Sequence, residues 1–445
     1  MNKLIIYSET IFSDRISKEI VRYAPKGAVD VIYSDEVRKK DLILRRKDTS
    51  WFYMSRVKLI RGLFFLMRFV APLGANRQAL KDHFLLDCGH YGFERKNVLK
   101  AVIWLVSKYK FLRSLIFKMS LLLVPKDVVE NSFDQDSHLN VLVFSFANLK
   151  SLSVLAVVAN ARKTKQNKIF SVVQSWDNPT TKGYGLVRPD YTFTWTELMR
   201  KELLEYQDIP LYRSSPIGSP TFSRKYSSTL KKLDVKKIRN KIIFATKSPA
   251  SFGNNVDIAI FLALYSAVKN IDLEVRVHPL SLLRKSTELE DFKKLSEQYC
   301  FSLQHAELED DLPNLDVDRD NLAYTSNPGD ILVTVYSTMN LEAANLGLNC
   351  INVDFEINGS EVKPQRMNMS IDRKQLHNQR LLRYGYIRNV SSLAELAVAL
   401  DGALKSDDQE RIQSAMQLVV DNECSPTFFV GDLLEQINGY RGEQS

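Results

Sequence analysis

Asp330-Ile-Leu-Val-Thr-Val-Tyr-Ser-Thr-Met-Asn-Leu-Glu-Ala-Ala-Asn-Leu-Gly-Leu-Asn-Cys-Ile351 is the stretch that decides the fold. An apolar strand over Ile331 to Val335 delivers Tyr336, Ser337 and Thr338 straight into a helix from Met339 to Leu346, and a second strand, Asn349 to Val353, follows. Two hydroxyls and the unpaired backbone N–H groups of the first turn therefore meet at a helix N-terminus, where the helix dipole favours an anion. Glu342, one turn further, points back toward the same end and is placed to accept hydrogen bonds from sugar hydroxyls. The competing reading is a plain helix cap made by Ser337 or Thr338.

The same alternation runs along most of the chain. Strands are expected at Leu4 to Tyr7, Val29 to Tyr33, Asn140 to Phe146, Ile169 to Val173 and Tyr191 to Trp195, with helices at Leu152 to Arg162 and Glu197 to Tyr206. Arg213-Ser-Ser-Pro-Ile-Gly-Ser-Pro-Thr-Phe-Ser223 then breaks the pattern and reads as a linker. The pattern restarts with strands from Lys241, Leu273, Asp330 and Asn349 and helices from Val256, Thr287 and Met339. The expected fold class is α/β: two Rossmann-like, doubly wound parallel-sheet domains facing a cleft. A chain of 445 residues suits two such domains better than one core. The boundaries read as 1–215 for an N-terminal domain and 216–240 for the linker. Residues 241–445 read as a C-terminal domain whose last helix is a candidate to cross back.

Four cysteines, none in a Cys-x-x-Cys pair, argue against a disulfide framework and a zinc site. The N-terminus runs directly into a strand pattern without the apolar core of a signal peptide, so a cytoplasmic protein is expected. The net charge of +9 is concentrated: Trp51 to Lys126 holds 14 basic and 3 acidic residues, and the remainder is close to neutral. In this basic amphipathic segment, 51–126, Lys108, Lys110, Arg113 and Lys118 interrupt the apolar run too often for a spanning helix. Either its helices lie on an anionic membrane surface or their apolar faces complete the domain core. No recognition motif accompanies the charge, so nucleic acid is not expected as a partner.

The segment from Asp330 to Ile351 resembles the nucleotide-binding segment of GT-B glycosyltransferases, in which a hydroxyl-bearing loop holds the donor diphosphate and a later Glu holds the ribose. Arg276-Val-His-Pro279 is similar to the Arg-x-His-Pro element of bacterial capsule and teichoic-acid transferases. His377-Asn-Gln-Arg-Leu-Leu-Arg-Tyr-Gly-Tyr-Ile-Arg-Asn-Val390 resembles the segment before their closing helix, and Pro216-Ile-Gly-Ser-Pro220 their inter-lobe crossing. The resemblance covers roughly Val141 to Leu400. It implies that 1–215 is the acceptor-side domain and 241–445 the nucleotide-donor-binding domain. It also implies donor binding by Arg276, Ser337, Thr338, Glu342 and His377, with His278 in contact with the departing phosphate or, alternatively, buried as a structural residue.

Trp176-Asp-Asn-Pro-Thr-Thr-Lys-Gly183 follows a buried strand and resembles an acceptor-side loop of surface-carbohydrate transferases. Asp177 is the candidate general base, Trp176 a stacking platform for a sugar, Lys182 a phosphate partner, and Asn178 and Thr181 further acceptor-side groups. The alternative is an Asp-Asn-Pro turn whose carboxylate merely caps the backbone. No Asp-x-Asp motif stands in a cleft-forming loop: Asp316-Val-Asp318 lies in an acidic stretch, and Asp134-Gln-Asp136 precedes a strand. A metal-independent reaction is therefore expected, with no cofactor beyond a nucleotide-sugar substrate.

These readings converge on a glycosyltransferase with three partners: a nucleotide-sugar donor, a cell-surface glycan or lipid-linked acceptor, and an anionic membrane surface, reached from the inner face of the plasma membrane. Capsule or O-antigen synthesis is the expected setting. The rival expectations are a CDP-polyol phosphotransferase, an enzyme like UDP-N-acetylglucosamine epimerase, and a non-catalytic glycan-binding protein.

Overall fold

The computed structural model describes residues 3–8, 11–33, 51–70, 84, 92–124, 139–144, 152–162, 166–181, 183–186, 188–219, 241–249, 251–278, 281, 287–305, 308–309, 312–313, 326–327, 329–357, 369–405, 417–418 and 430–440. Lys182, Pro279, Asp134, Asp136, Asp316, Asp318, most of the expected linker and the side chain of Asn178 lie outside them, as do parts of the basic segment.

The chain divides into two compact units, Met1–Thr221 with Thr427–Ser445, and Phe222–Pro426. Each carries one six-stranded sheet in which every pairing is parallel. Both Rossmann-like doubly wound sheets expected from the sequence are thus present.

In the first unit the strands are β1 (Lys3–Ser8), β2 (Val29–Tyr33), β3 (Leu139–Phe144), β4 (Lys168–Val172), β5 (Tyr191–Thr194) and β6 (Ser214–Pro216), in spatial order β2-β1-β3-β4-β5-β6. Its helices are α1 (Ile11–Tyr23), α2 (Trp51–Met67), α3 (Phe93–Lys108), α4 (Lys110–Leu123), α5 (Leu152–Ala161), the single turn α6 (Asn178–Thr181) and α7 (Glu197–Gln207). The Ser-Pro-rich stretch read as linker holds edge strand β6, because Ser214 to Pro216 continue the ladder beside β5. Proline is tolerated there, since an edge strand leaves one side of its backbone unpaired.

In the second unit the strands are β7 (Lys241–Ala245), β8 (Asp272–Arg276), β9 (Ser302–Gln304), the small antiparallel pair β10 (Leu308–Glu309) and β11 (Leu312–Pro313), β12 (Ile331–Thr334), β13 (Asn349–Val353) and β14 (Ile387–Val390). Helices α8 (Asn255–Lys269), α9 (Glu288–Tyr299), α10 (Met339–Leu346), α11 (Met369–Lys374), α12 (Leu376–Arg383) and α13 (Leu393–Leu404) belong with them. The last helix, α14 (Val430–Gly439), belongs to the first unit. Its Val430, Leu433 and Ile437 pack with Leu4, Ile6, Ile16, Ile20 and Phe170, and Ser215 Oγ donates to Gln436 Oε1 at 2.8 Å. Burying each large apolar side chain there stabilises the unit by about 1.5–3 kcal/mol.

The inner strands are buried on both faces, as parallel strands covered by helices must be, while the edge strands β6, β9 and β14 are partly exposed. All four residues of β12 are buried, paired to β7 through Ile331↔Ile242 and to β13 through Ile331↔Asn349. Helix α10 stops at Gly347, whose left-handed φ of 71° lets its N–H reach the carbonyls of Ala343 and Ala344. The helices described in the basic segment, α2, α3 and α4, supply core on their inner side: Val57 and Ile60 of α2 pack with Leu155 and Ala156, and Met67 and Val70 with Val106, Tyr184 and Leu186.

Candidate functional site

The second sheet runs β9-β8-β7-β12-β13-β14. The chain builds outward from β7 in one direction, then returns to build outward from β12 in the other. The reversal lies between β7 and β12, and in such sheets the crevice at the carboxyl ends of the two strands at the reversal is where ligands bind. Thr246 and Lys247 leave β7 there, and Val335 to Thr338 leave β12.

Lys247 is fixed on three sides. Its ammonium pairs with the carboxylate of Asp372 on α11 and stands 5.9 Å from the centroid of the Tyr336 ring, while its backbone N–H donates to Asn255 Oδ1 at 3.0 Å. Tyr336 has a left-handed backbone, φ 43°, which is costly for a residue with a side chain. Its N–H is held by Asn352 Oδ1 at 2.7 Å, Asn352 Nδ2 donates to Asn389 at 2.7 Å, and Asn389 Nδ2 donates to Asp354 Oδ2 at 3.0 Å. Arg373 Nε closes the network on both oxygens of Asp354, at 3.0 and 2.9 Å. Burial, reinforced by the neighbouring Asp354 carboxylate, pushes the Tyr336 hydroxyl well above its ordinary pKa, so it remains protonated.

Ser337 and Thr338 sit half-buried at the start of α10, where Met339 N–H donates to Ser337 Oγ at 3.2 Å. Thr338, the N-cap residue, makes no side-chain cap bond, and the junction sits at the strand reversal beside Lys247. Glu342 is buried one turn into α10. His377 is buried on α12 next to Asn378, whose Nδ2 donates to the Asp372 carbonyl at 2.9 Å. His278 follows β8, half-buried, with its N–H on Thr246 Oγ1 at 2.8 Å and its carbonyl accepting from Ser281 at 2.8 Å. Arg276 is engaged differently: at 2% exposure its Nε donates to Glu274 Oε1 at 2.6 Å, and Lys241 holds the other oxygen of the same carboxylate at 2.5 Å.

Two loops of the site are braced by one buried polar pair. Asn255 Nδ2 donates to the Lys247 carbonyl and to Glu288 Oε1, both at 2.7 Å, and Ser281 Oγ donates to Glu288 Oε2 at 2.7 Å. The loop carrying Lys247 is thereby tied to the turn carrying His278. Burial raises the Glu288 carboxyl pKa against the pull of these hydrogen bonds.

The Trp176 loop of the first unit is a packed turn. Trp195 Nε1 donates to Val173 O at 2.7 Å beneath it, and Trp176 is buried. The Asp177 carbonyl accepts from the N–H groups of Thr180 and Thr181, opening α6, while its carboxylate accepts from Ser175 Oγ at 2.5 Å and Thr181 Oγ1 at 3.0 Å. Gln207 braces the far side, donating to Pro179 O and Gly183 O and accepting from Gly185 N–H. Gly183, φ 77°, lies so close to α2 that a Cβ would come within 1.9 Å of the Arg68 carbonyl oxygen. Tyr184 donates its N–H to Met67 O at 3.0 Å and its hydroxyl to Asp208 at 3.0 Å. Arg113 of α4 reaches the same Asp208 at 2.8 and 2.6 Å, so this cation of the basic segment is a buried brace.

Sequence reading did not single out Lys247, Asp372, Arg373, Asp354, Asn352 or Asn389. A signal for Lys247 was present, since a cation directly after a buried strand stands at the sheet's carboxyl edge.

No protein-family model matches the chain, and no curated protein sequence matches it. Among solved structures it is similar to UDP-GlcNAc 2-epimerase from Neisseria meningitidis, at 12% identity over 98% of this chain and 100% of that one with a TM-score of 0.46. It is also similar to the wall teichoic acid polymerase TagF, at 12% identity over 98% and 89% with a TM-score of 0.45. A glycosyltransferase from Rickettsia africae gives 12% identity over 98% of each chain and a TM-score of 0.41. At these values the chemistry of this chain is read from its own residues.

Proposed function

We propose that the protein is a metal-independent GT-B-type glycosyltransferase that moves a sugar from a nucleotide-sugar donor to a cell-surface glycan or lipid-linked precursor at an anionic membrane surface. The observation that carries this reading is the meeting of Ser337, Thr338 and the N-terminus of α10 with Lys247 at the reversal between β7 and β12. A departing diphosphate needs its charge met by fixed groups, and the positive end of the α10 dipole, the two hydroxyls, Lys247 and Arg373 supply them, the N–H groups of Met339, Asn340 and Leu341 being held within the turn by Ser337 and Thr338. His278 and Arg276 are assigned to the phosphate side, Glu342 and His377 to the nucleoside side. Asp177 takes the acceptor proton, with Trp176, Asn178, Thr181 and Lys182 positioning the acceptor.

Thermal-shift measurements with UDP, GDP, CDP, CMP and dTDP test the donor half. One nucleoside diphosphate should stabilise the wild type by mass action. Ser337→Ala with Thr338→Ala should weaken that binding by about 1–3 kcal/mol, with the free protein losing no more than the about 0.5–1.5 kcal/mol of the Met339 N–H to Ser337 Oγ bond. Stabilisation by none of the five, or an unaffected double variant, overturns the assignment. CMP and CDP as the effective pair would favour polyol-phosphate transfer.

A further inference from the structure

The helices of the basic segment have two different sides. Inward, α4 buries Arg113 and Ser120. Outward, Phe111, Leu115, Met119 and Leu122 fall on one stripe, and Phe111 and Leu122 are 66% and 80% exposed. On α3, Val98, Val102 and Leu105 form a second exposed stripe beside Trp104, which is 52% exposed and capped by the Lys108 ammonium 4.9 Å from its ring. Eight of the eighteen exposed large apolar side chains among the described residues stand on these two helices and a ninth, Tyr109, joins them, so the patch is a concentration, beyond the scatter normal on a surface.

The charges on this patch name its partner. Arg95, Lys100, Lys108, Lys110 and Lys118 are exposed on the two helices, against one acidic residue, Glu94. A second copy of the chain would bring two cationic faces together, and like charges disfavour that contact. An anionic lipid surface complements both features: acyl chains receive the apolar stripes and headgroups meet the lysines. Helix α4 has 14 residues and is about 21 Å long, too short for a bilayer core of about 30 Å, so it lies in the plane of the interface.

We infer that the outward face of α3 and α4 is an in-plane docking surface for anionic lipid, held by insertion of Trp104, Phe111, Leu115 and Leu122 as well as by charge. This deepens the reading above and rests on it for the lipid partner. It also fixes the candidate acceptor loop: the inward Arg113 binds Asp208, which binds Tyr184 at the end of that loop, so docking sets the loop's distance from the bilayer.

Flotation of the full chain with vesicles tests it, without nucleotide. Wild type should bind phosphatidylcholine vesicles containing phosphatidylglycerol and bind pure phosphatidylcholine weakly. Phe111→Ser with Leu115→Ser, at exposed positions, should keep the wild-type melting temperature and lose at least about tenfold in partition at both low and high salt. Lys110→Gln with Lys118→Gln should lose several-fold at low salt only, because screening removes the charge term. A wild type that binds neither vesicle overturns the membrane reading altogether. A wild type that binds while the apolar variant binds equally well overturns this face alone, and a dimer that the apolar variant dissociates in the absence of lipid replaces lipid with self-association. Nucleotide binding by the second unit is measured separately and stands or falls independently.

Discussion

Lys247 and Tyr336 stand at the carboxyl ends of the neighbouring strands β7 and β12, with the ammonium 5.9 Å from the centre of the phenol ring. The two residues are far apart in sequence, and only the return of the chain from β9 to β12 makes them neighbours. Between them lies the mouth of the strand reversal, where α10 begins.

Lys247→Met should therefore do two separable things. It should weaken nucleotide binding by about 1.5–3 kcal/mol, through loss of a charge-assisted contact. It should also destabilise the fold, since Asp372 is left buried without its cation. Lys247→Met combined with Asp372→Asn should recover melting temperature without recovering affinity. Recovery of both, by calorimetric titration, would remove Lys247 from the donor site.

Gly183→Ala should cost at least about 3 kcal/mol, because the new Cβ overlaps a backbone oxygen at 1.9 Å and the backbone φ is 77°. Gly27, also left-handed at φ 80° but with open space around it, isolates the conformational part, and Gly27→Ala should cost about 1 kcal/mol. Equal losses in denaturant melts of the two variants would mean that α2 does not lock the loop.

The raised Glu288 carboxyl carries a pH signature. Below the unfolded pKa both states are protonated. As pH rises, the unfolded chain ionises first, so the wild type loses stability until the folded pKa is passed, and the deficit then stays constant. Glu288→Gln removes this term, so its melting temperature relative to wild type should be higher at neutral pH than at about pH 4. A difference independent of pH would show that Glu288 titrates alike in both states.

Asp177→Asn preserves size and keeps one acceptor oxygen, for Ser175 or Thr181, while removing basicity; Thr181 Oγ1 retains the Asp177 carbonyl at 2.9 Å. Turnover should fall by about two to four orders of magnitude with donor affinity nearly unchanged. Near-normal turnover would return Asp177 to the role of turn cap.

Strand and helix order was legible because each element announces itself locally. Buried parallel strands such as Ile331 to Val335 read as apolar runs, and Gly347 marks where α10 must stop. The hydroxyl pair at the head of α10 was legible for the same reason, since a strand feeding directly into a helix fixes where its first N–H groups point. Short elements were not: β6 is held by its ladder to β5 and by contact with α14, both long-range terms. The sequence alone also left the basic segment between core and surface, because periodicity shows that a helix has an apolar side without showing what covers it. Tertiary structure divided it, turning Arg113 inward to Asp208 and leaving Phe111 and Leu122 outward. It alone brought Lys247 to Tyr336, placed Asp372 against Lys247, and pressed Gly183 onto α2, since these contacts depend on the order in which strands enter a sheet.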